Sequence, residues 1–314
     1  MKFEVDKRSY EIYDDANSFA RTLIKNTRQR LVYHYTSDSA LKSILENSTL
    51  RLSDIKYMND ESEMKYFYDL AKKYLEGTNK FDKIFKDEII KVIDLFDSVN
   101  RFGYSELKVC SIKSNIFVIS FSLNSDCLPL WVYYTKNPNS IGYSIEFDRA
   151  LITRVIEKST KKDCFTGKVI YEESIQKKVL DKLFNYFYRL YLQEDENNKR
   201  DVIVSCEQVI KLLSLFCKSP YFKNEEEFRI VISSLTLKTK NKVIGGNNTK
   251  FRLQKGIFVP YTEINFKNKK NCIEGIKISP TQKDILAKYG LKELLEELEY
   301  LNVDVEQSKI PLRF

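Results

Sequence analysis

The stretch from Leu31 to Leu52 restricts the fold more than any other part of the chain. Leu31-Val32-Tyr33-His34-Tyr35-Thr36 alternates as a short strand does, with Val32 and His34 on one face and Leu31, Tyr33 and Tyr35 on the other. Ser37-Asp38-Ser39 then offers a helix cap, and Ala40, Leu41, Ile44 and Leu45 recur at helical spacing. Thr49-Leu50-Arg51-Leu52 follows as a second strand. The unit is strand, short helix, strand, and the only histidine of the 314 residues sits near the end of its first strand.

Two readings of His34 stand side by side. A histidine on a strand is commonly a half-buried side chain bonded to nearby backbone. A polar Thr36 on the same face, and further polar clusters downstream, make a functional role the rival reading.

A 37.1 kDa chain with 43% hydrophobic and 13% aromatic residues has ample material for a core. Its 9 Gly and 6 Pro leave little for linkers or low-complexity tails. No apolar run approaches the length of a membrane span, and the chain opens Met1-Lys2-Phe3-Glu4, so a soluble cytoplasmic protein with no membrane partner is expected. Six scattered cysteines show no metal-type spacing and read as reduced thiols. The net charge of +8 is spread among acids, which points to a solvated surface. Its densest run, Lys238, Lys240, Lys242, Lys250, Arg252 and Lys255 around Gly245-Gly246-Asn247-Asn248, reads as a basic hairpin able to touch a polyanion.

Along the chain, Ala16 to Thr27 reads as an amphipathic helix. Met58-Asn59-Asp60 reads as a polar loop leading into helices marked by Phe67, Ala71 and Leu75 and by Phe85, Ile89 and Ile93. Ile116 to Ser122 is a central strand whose Ser120 and Ser122 make one side polar at its end; both serines could equally bond backbone. Leu128 to Tyr134 is a short turn or helix carrying the only tryptophan, Trp131, which reads as a packing anchor, with Tyr134 able to offer a ring to a ligand. From Asp148 to Cys217 the pattern is mainly helical. In Glu225-Glu226-Glu227-Phe228-Arg229, the alternation puts Glu225, Glu227 and Arg229 on one face of a strand and Glu226 and Phe228 on the other.

One histidine excludes zinc sites built on several, and the sequence has neither a GxxxxGK[ST] loop nor a GxGxxG turn. What remains is one imidazole, strand hydroxyls, aromatics and a strand-end glutamate. Such a set suits cleavage of a glycosidic bond through an oxocarbenium-like transition state, where a carboxylate stabilises developing positive charge.

Several runs resemble, in order and spacing, the bacterial family called domain of unknown function 2971. They are His34-Tyr35-Thr36 with Leu41 and Ile44, Asn59-Asp60 with Glu63, Ser120-Phe121-Ser122, and Leu128-Pro129-Leu130-Trp131 with Tyr134. Gly142 to Phe147, Glu225 to Arg229 and Ser308-Lys309-Ile310-Pro311 with Arg313 complete the set, so the resemblance covers nearly the whole chain beyond its N-terminal stretch. The opening unit of that family is in turn similar to the ADP-ribosyltransferase fold of the His-Tyr-Glu type, as in DNA-modifying toxins and tRNA phosphotransferases.

That second resemblance implies an α+β fold with an ADP-ribosyltransferase-like split, mixed or antiparallel sheet and several packed helices. An arm and helix over 1–29 would precede a single domain over 30–314, with a helical insertion at about 148–218. It implies NAD as a substrate, no metal, and a macromolecular acceptor, nucleic acid or protein. His34 and Thr36, with Tyr35 between them, would hold the NAD ribose, Ser120, Ser122 and Trp131 would line the pocket, and Tyr134 or Tyr133 would stack on nicotinamide. Glu227 would be the catalytic carboxylate, Glu225 would aid acceptor choice, and Arg229 would be structural or contact phosphate. Tyr35 departs from the pattern, standing where many members of the wider fold have a small residue. The activity expected is ADP-ribosyl transfer or NAD hydrolysis in a toxin or phage-defence setting. The alternative is a non-catalytic module on the same fold that senses a nucleotide or binds a protein or nucleic acid.

Overall fold

The structure, a computed structural model, describes residues 7–57, 63–102, 112–134, 141–160, 164–239, 242–244, 249–254 and 256–311. From the N-terminus run α1 (Lys7–Leu23), β1 (Leu31–Ser37), α2 (Asp38–Asn47), β2 (Thr49–Asp54), α3 (Glu63–Glu76) and α4 (Lys83–Phe102). Next come β3 (Ile112–Ser122), α5 (Leu128–Tyr134), β4 (Gly142–Asp148), α6 (Arg149–Thr160), β5 (Cys164–Lys168), α7 (Glu173–Gln193) and α8 (Glu196–Ser214). The chain continues with β6 (Glu227–Thr239), β7 (Lys242–Ile244), β8 (Lys250–Gln254) and β9 (Ile257–Asn265). It closes with β10 (Ile273–Ile278), α9 (Ile285–Glu297) and β11 (Asp304–Gln307).

These elements make two compact units. One holds α1, α3, α4, α7 and α8; the other holds every described strand with α2, α5, α6 and α9. The stretch expected as one helical insertion, 148–218, is shared between them: α6 and β5 belong to the sheet unit, α7 and α8 to the helical one. The loop expected at Met58-Asn59-Asp60 lies outside the described residues.

In the helical unit the apolar stripes meet in one core. Phe67, Ala71 and Leu75 of α3, Phe85, Ile89 and Ile93 of α4, Leu180, Phe184 and Phe187 of α7 and Ile203, Val209 and Ile210 of α8 are buried together. The first helix begins well before the expected Ala16. Its stripe is Ile12, Ala16, Ala20 and Leu23, and its charged opening is compatible with a helix because Arg8 pairs with Glu11 and Glu194.

The sheet unit is an α+β assembly with a mixed sheet of eleven strands among the described residues. Only β10 and β11 run parallel, joined by α9 as a parallel crossover requires. On one side β3 pairs with β6, which in turn carries β5 and β7. On the other side β3 meets β1 at Tyr33–Ser122 and β2 at Ser53–Val118, so the two strands of the opening unit part from β3 at different points. Beyond them lie β4, β10 and β11 on one hand and β9 and β8 on the other.

Alternation along the strands separates the sheet's faces sharply. One face buries Val32, Leu52, Phe117, Ile119, Phe121, Ile145, Phe147, Phe228, Ile230 and Ile276 under Leu41 and Leu45 of α2, Ile152 and Ile156 of α6 and Leu291 and Leu295 of α9. The other face carries most of the candidate residues and is polar around Ser120, Ser122, Glu227 and Arg229, while Val118, Val231 and Phe165 make it apolar farther along β3, β6 and β5. Cys127, Cys164, Cys206, Cys217 and Cys272 are all buried free thiols; Cys110 lies outside the described residues.

Candidate functional site

The strand registers lay the polar face out in rows. Residues directly opposite one another in an antiparallel pair project to the same side. One row therefore runs Gly275, Glu146, Tyr33, Ser122 and Glu227 across β10, β4, β1, β3 and β6. On the same face, Lys277 stands opposite Ser144 and Ser144 opposite Tyr35, while Ser120 stands opposite Arg229 and Arg229 opposite Gly167. Tyr35, Ser120, Ser122, Glu227 and Arg229 thus share a face.

His34 and Thr36 do not. One residue from Tyr33 along β1, His34 stands opposite Ile145 and projects into the apolar side, where its ring lies edge-on to Phe121 at 5.7 Å. Thr36, opposite Tyr143, is buried on that same side. The only polar bond recorded for the imidazole is Nδ1–H donating to the Ser120 carbonyl at 3.2 Å. Ser120 lies on β3 between its bridge to β1 and its bridges to β2, so the ring occupies the place where ladder bonding lapses. Desolvation holds its pKa below the usual histidine value, outweighing the carbonyl contact, and the ring is neutral at pH 7. The reading in which His34 bonds to nearby backbone is the one this geometry fits. Replacing His34 with alanine should cost about 1–3 kcal/mol, because the Ser120 carbonyl is then stranded; chemical denaturation measures it, and an unchanged unfolding free energy would refute the role.

Glu227 and Arg229 form the polar face's central feature. Arg229 is 1% exposed and Glu227 7% exposed. The guanidinium donates from Nε to Oε2 at 2.7 Å and from Nη2 to Oε1 at 2.9 Å, a two-point grip that leaves neither carboxylate oxygen unclaimed. Glu225 stands apart. The strand expected to include it starts at Glu227; Glu225 ends a short helical turn, Pro220–Glu225, and Glu226 takes a left-handed backbone with φ 44°. That kink breaks the two-residue alternation, so Glu225 is not the face-mate of Glu227. Its carbonyl accepts the Ser122 hydroxyl at 2.8 Å.

The other candidates are similarly engaged. Ser122 Oγ also accepts the Asn124 N–H at 3.0 Å. The Tyr35 hydroxyl donates to the Asn124 carbonyl at 2.9 Å and accepts the Cys127 N–H at 2.8 Å, and burial holds this phenol protonated far above its ordinary range. Trp131 is fully buried, edge-on to Tyr35 with centroids 4.8 Å apart, so it presents no face for a base to stack on. Tyr133 is 40% exposed on α5; Tyr134 ends that helix, and its ring lies outside the described part of the structure. Ser120 Oγ is the exception, buried with no hydrogen-bond partner.

A residue the sequence reading passed over organises this region. Asp126 Oδ1 accepts the Trp131 indole N–H at 2.7 Å and the Ser308 hydroxyl at 2.6 Å, while Oδ2 accepts the Lys309 N–H at 3.0 Å. The carboxylate so ties α5 to the segment after β11. Its signal was faint: an aspartate two residues after Asn124, whose side chain caps the turn by accepting the Asp126 N–H at 3.0 Å. Asp126→Ala should cost about 2–3 kcal/mol and red-shift the emission of the single tryptophan; unchanged emission would show that the indole is held by something else.

The expected basic hairpin is built differently. Lys238 pairs with β7, whereas Lys250 and Arg252 belong to β8, which pairs with β9. Lys240, Lys255 and the Gly245-Gly246-Asn247-Asn248 turn lie outside the described residues. On the polar face Lys250 and Arg51 both pair with Glu263, and Arg252 donates to the Ser53 hydroxyl at 3.2 Å. The opposite face of the β8–β9 ribbon is apolar and open: Phe251 is 62%, Leu253 67% and Phe258 68% exposed.

Residues 130–230 match the model of a family described as a protein of unknown function, DUF2971. The matched stretch contains Leu130-Trp131, Gly142 to Phe147 and Glu225 to Arg229, but not His34, Ser120 to Ser122 or Ser308 to Pro311. No curated protein and no solved structure matches the chain. No helix among the described residues is long and apolar enough to cross a membrane, and none of their His, Cys, Asp and Glu side chains cluster as a metal site would require.

Proposed function

We propose that the protein is a non-catalytic binding module, in which the residues expected to perform NAD chemistry hold the sheet together. The observation that carries this reading is the placement of His34 and Glu227 on opposite faces: an imidazole and a carboxylate that project to opposite sides of one sheet do not grip one sugar. Supporting it, Glu227 is held by Arg229 at both oxygens, Trp131 is sealed, and the Tyr35 and Ser122 hydroxyls are spent on backbone. Exposed apolar side chains that could contact a partner lie on the β8–β9 ribbon, at Phe251, Leu253 and Phe258, and on α9, at Ile285, Leu286 and Tyr289.

The test is incubation of the purified protein with NAD. No nicotinamide should appear above a buffer blank, and neither NAD nor ADP-ribose should raise the thermal midpoint, since a ligand that binds only the folded state must raise it.

A second reading, ADP-ribosyl transfer or NAD hydrolysis with an unidentified nucleic-acid or protein acceptor, is favoured by one feature. Glu227 opens β6 on the same face as Ser120, Ser122 and Tyr35, with the unpartnered Ser120 hydroxyl opposite Arg229. Under that reading the wild-type protein releases nicotinamide and Glu227→Gln, still folded, does not. Such a result would overturn the binding-module reading and reopen the toxin or phage-defence setting.

A further inference from the structure

We propose that the groove between α1 and α7 in the helical unit takes up an amphipathic helix of a partner protein, one with carboxylates two turns apart and apolar side chains between them. The inference rests on the binding-module reading and gives that reading a partner chemistry. A cavity of about 760 Å³ lies along these two helices, with a floor of Phe19 and Leu23 from α1 and Tyr186 and Leu190 from α7. Phe19 stacks on Tyr186 with centroids 3.9 Å apart, and Phe19, Tyr186 and Leu190 are only partly buried, so the floor keeps apolar surface open to solvent. A space of this size suits a ligand or the side chains of a docking helix.

Charge along the groove fixes the occupant. Lys182 and Arg189 of α7 line the cavity, are exposed, and make no ion pair among the described residues; the Arg189 Nε–H donates to the Asn185 carbonyl of its own helix at 3.2 Å. Asp181 is the one acid in the lining, and its carboxylate is already taken by the Tyr74 hydroxyl and Lys80. Asp15 and Arg8 act on the Tyr186 hydroxyl with opposite sign. The lining therefore carries two uncompensated cations, seven residues apart on one helix, which is about 10.5 Å along its axis. An incoming helix offers carboxylates at the same separation from positions i and i+7, and its residues at i+3 and i+4 then fall on Tyr186 and Phe19. An extended segment does not match, because side chains on one face of a strand repeat at about 6.6 Å and about 13 Å. Helix α9 of a second copy also fits poorly: its acids, Glu293, Glu296 and Glu297, all follow its exposed apolar residues Ile285, Leu286 and Tyr289 instead of bracketing them.

The probe is a fluorescein-labelled, alanine-rich peptide of about sixteen residues with glutamate at i and i+7 and leucine at i+3, i+4 and i+11, followed by anisotropy with the full chain. Saturable binding is expected. It should weaken by about tenfold or more in Lys182→Gln/Arg189→Gln, on raising salt to about 0.5 M, and when serine replaces the peptide's leucines or a proline interrupts it. Both substituted side chains are exposed, so the variant should keep the wild-type thermal midpoint, and Lys182→Glu/Arg189→Glu should prefer a peptide with lysine in place of glutamate. The wild-type chain gives a reading that needs no variant: a nitroxide at the peptide's centre should broaden the methyl signals of Leu23 and Leu190. No saturable binding, equal binding of the leucine-free or proline-broken peptide, or binding that broadens neither leucine would overturn the proposal. So would a dimer in sedimentation that Lys182→Gln/Arg189→Gln dissociates, because the groove would then belong to a second copy. Nicotinamide release that depends on Glu227 would defeat the binding-module reading instead; it is measured without the peptide, so the two failures are told apart.

Discussion

Arg229→Ala is expected to lower the free energy of unfolding of the sheet unit by about 3–5 kcal/mol, the range for removing one partner of a buried ion pair. The size follows from what is left behind. Glu227 sits almost fully inside the protein, and its carboxylate takes hydrogen bonds from the guanidinium at both oxygens. Without Arg229 the carboxylate must stay charged in a poorly solvated place or acquire a proton, and either is costly near neutral pH. Replacing both residues, as in Glu227→Leu with Arg229→Met, should recover much of the loss, because an apolar pair of similar volume leaves no uncompensated charge. Glu227→Gln should be milder, since a neutral oxygen still accepts from the guanidinium. Urea denaturation of the four proteins measures the set, and a loss below about 1 kcal/mol for Arg229→Ala would show that the pair is better solvated than its burial implies.

The same pair shows where reading the sequence stops. That Glu227 and Arg229 share a face, that Phe228 and Ile230 face the core, and that Val32 and Tyr33 lie on opposite sides all follow from alternation within single strands, and the structure bears each out. Whether His34 meets Glu227 is a question about β1, β3 and β6 in register. One residue of offset along β1 decides it, and nothing local to either stretch encodes that offset. Glu225 escaped for a different reason. The chain turns at Glu226 with a positive φ and no glycine to announce it, so the alternation looked continuous when it was not. The helical unit was legible as stripes but not as an assembly, since its helices come from three separate stretches of chain. Asp126 was invisible because its partners, Trp131 and the Ser308-Lys309 segment, are brought together only by the tertiary fold.

The polar face also illustrates how a binding-site pattern and a scaffold pattern can coincide. Serines, a tyrosine, a tryptophan and a charged pair at strand ends are what a nucleotide pocket needs. They are equally what a sheet needs when one face is polar and closed over. The distinction lies in spare bonding capacity: Ser122 and Tyr35 each both donate and accept within the protein, and Glu227 is gripped at both oxygens.

The helical unit should become less stable as pH rises from 5 to 8, opposite to the behaviour of a salt-bridged carboxylate. Glu207 of α8 is fully buried; its Oε1 accepts the Tyr68 hydroxyl at 2.9 Å while Oε2 has no hydrogen-bond partner. Burial raises its pKa from 4.5 to about 7, with Lys211 and the Tyr68 hydrogen bond opposing the rise. Cys206, the next residue, is also buried, and burial together with the charge of Glu207 keeps its thiol protonated. A group that holds its proton more tightly folded than unfolded stabilises the folded state most below the unfolded pKa. Here the fold is favoured below about pH 4.5, loses stability through the window to about pH 7, and bears the full cost above it, about 3 kcal/mol for a shift of this size. Glu207→Gln keeps the shape and an acceptor for Tyr68 but has no charge to bury, so the variant should be more stable than wild type at pH 8 by a similar amount and nearly flat across the window. His34 acts with the opposite sign in the sheet unit: its lowered pKa makes protonation below about pH 6.5 cost stability there. Amide exchange should therefore be followed separately in α8 and β1 as pH is varied. Slopes of the same sign in both helices and strands, or a pH dependence in α8 that survives Glu207→Gln, would remove Glu207 as its source.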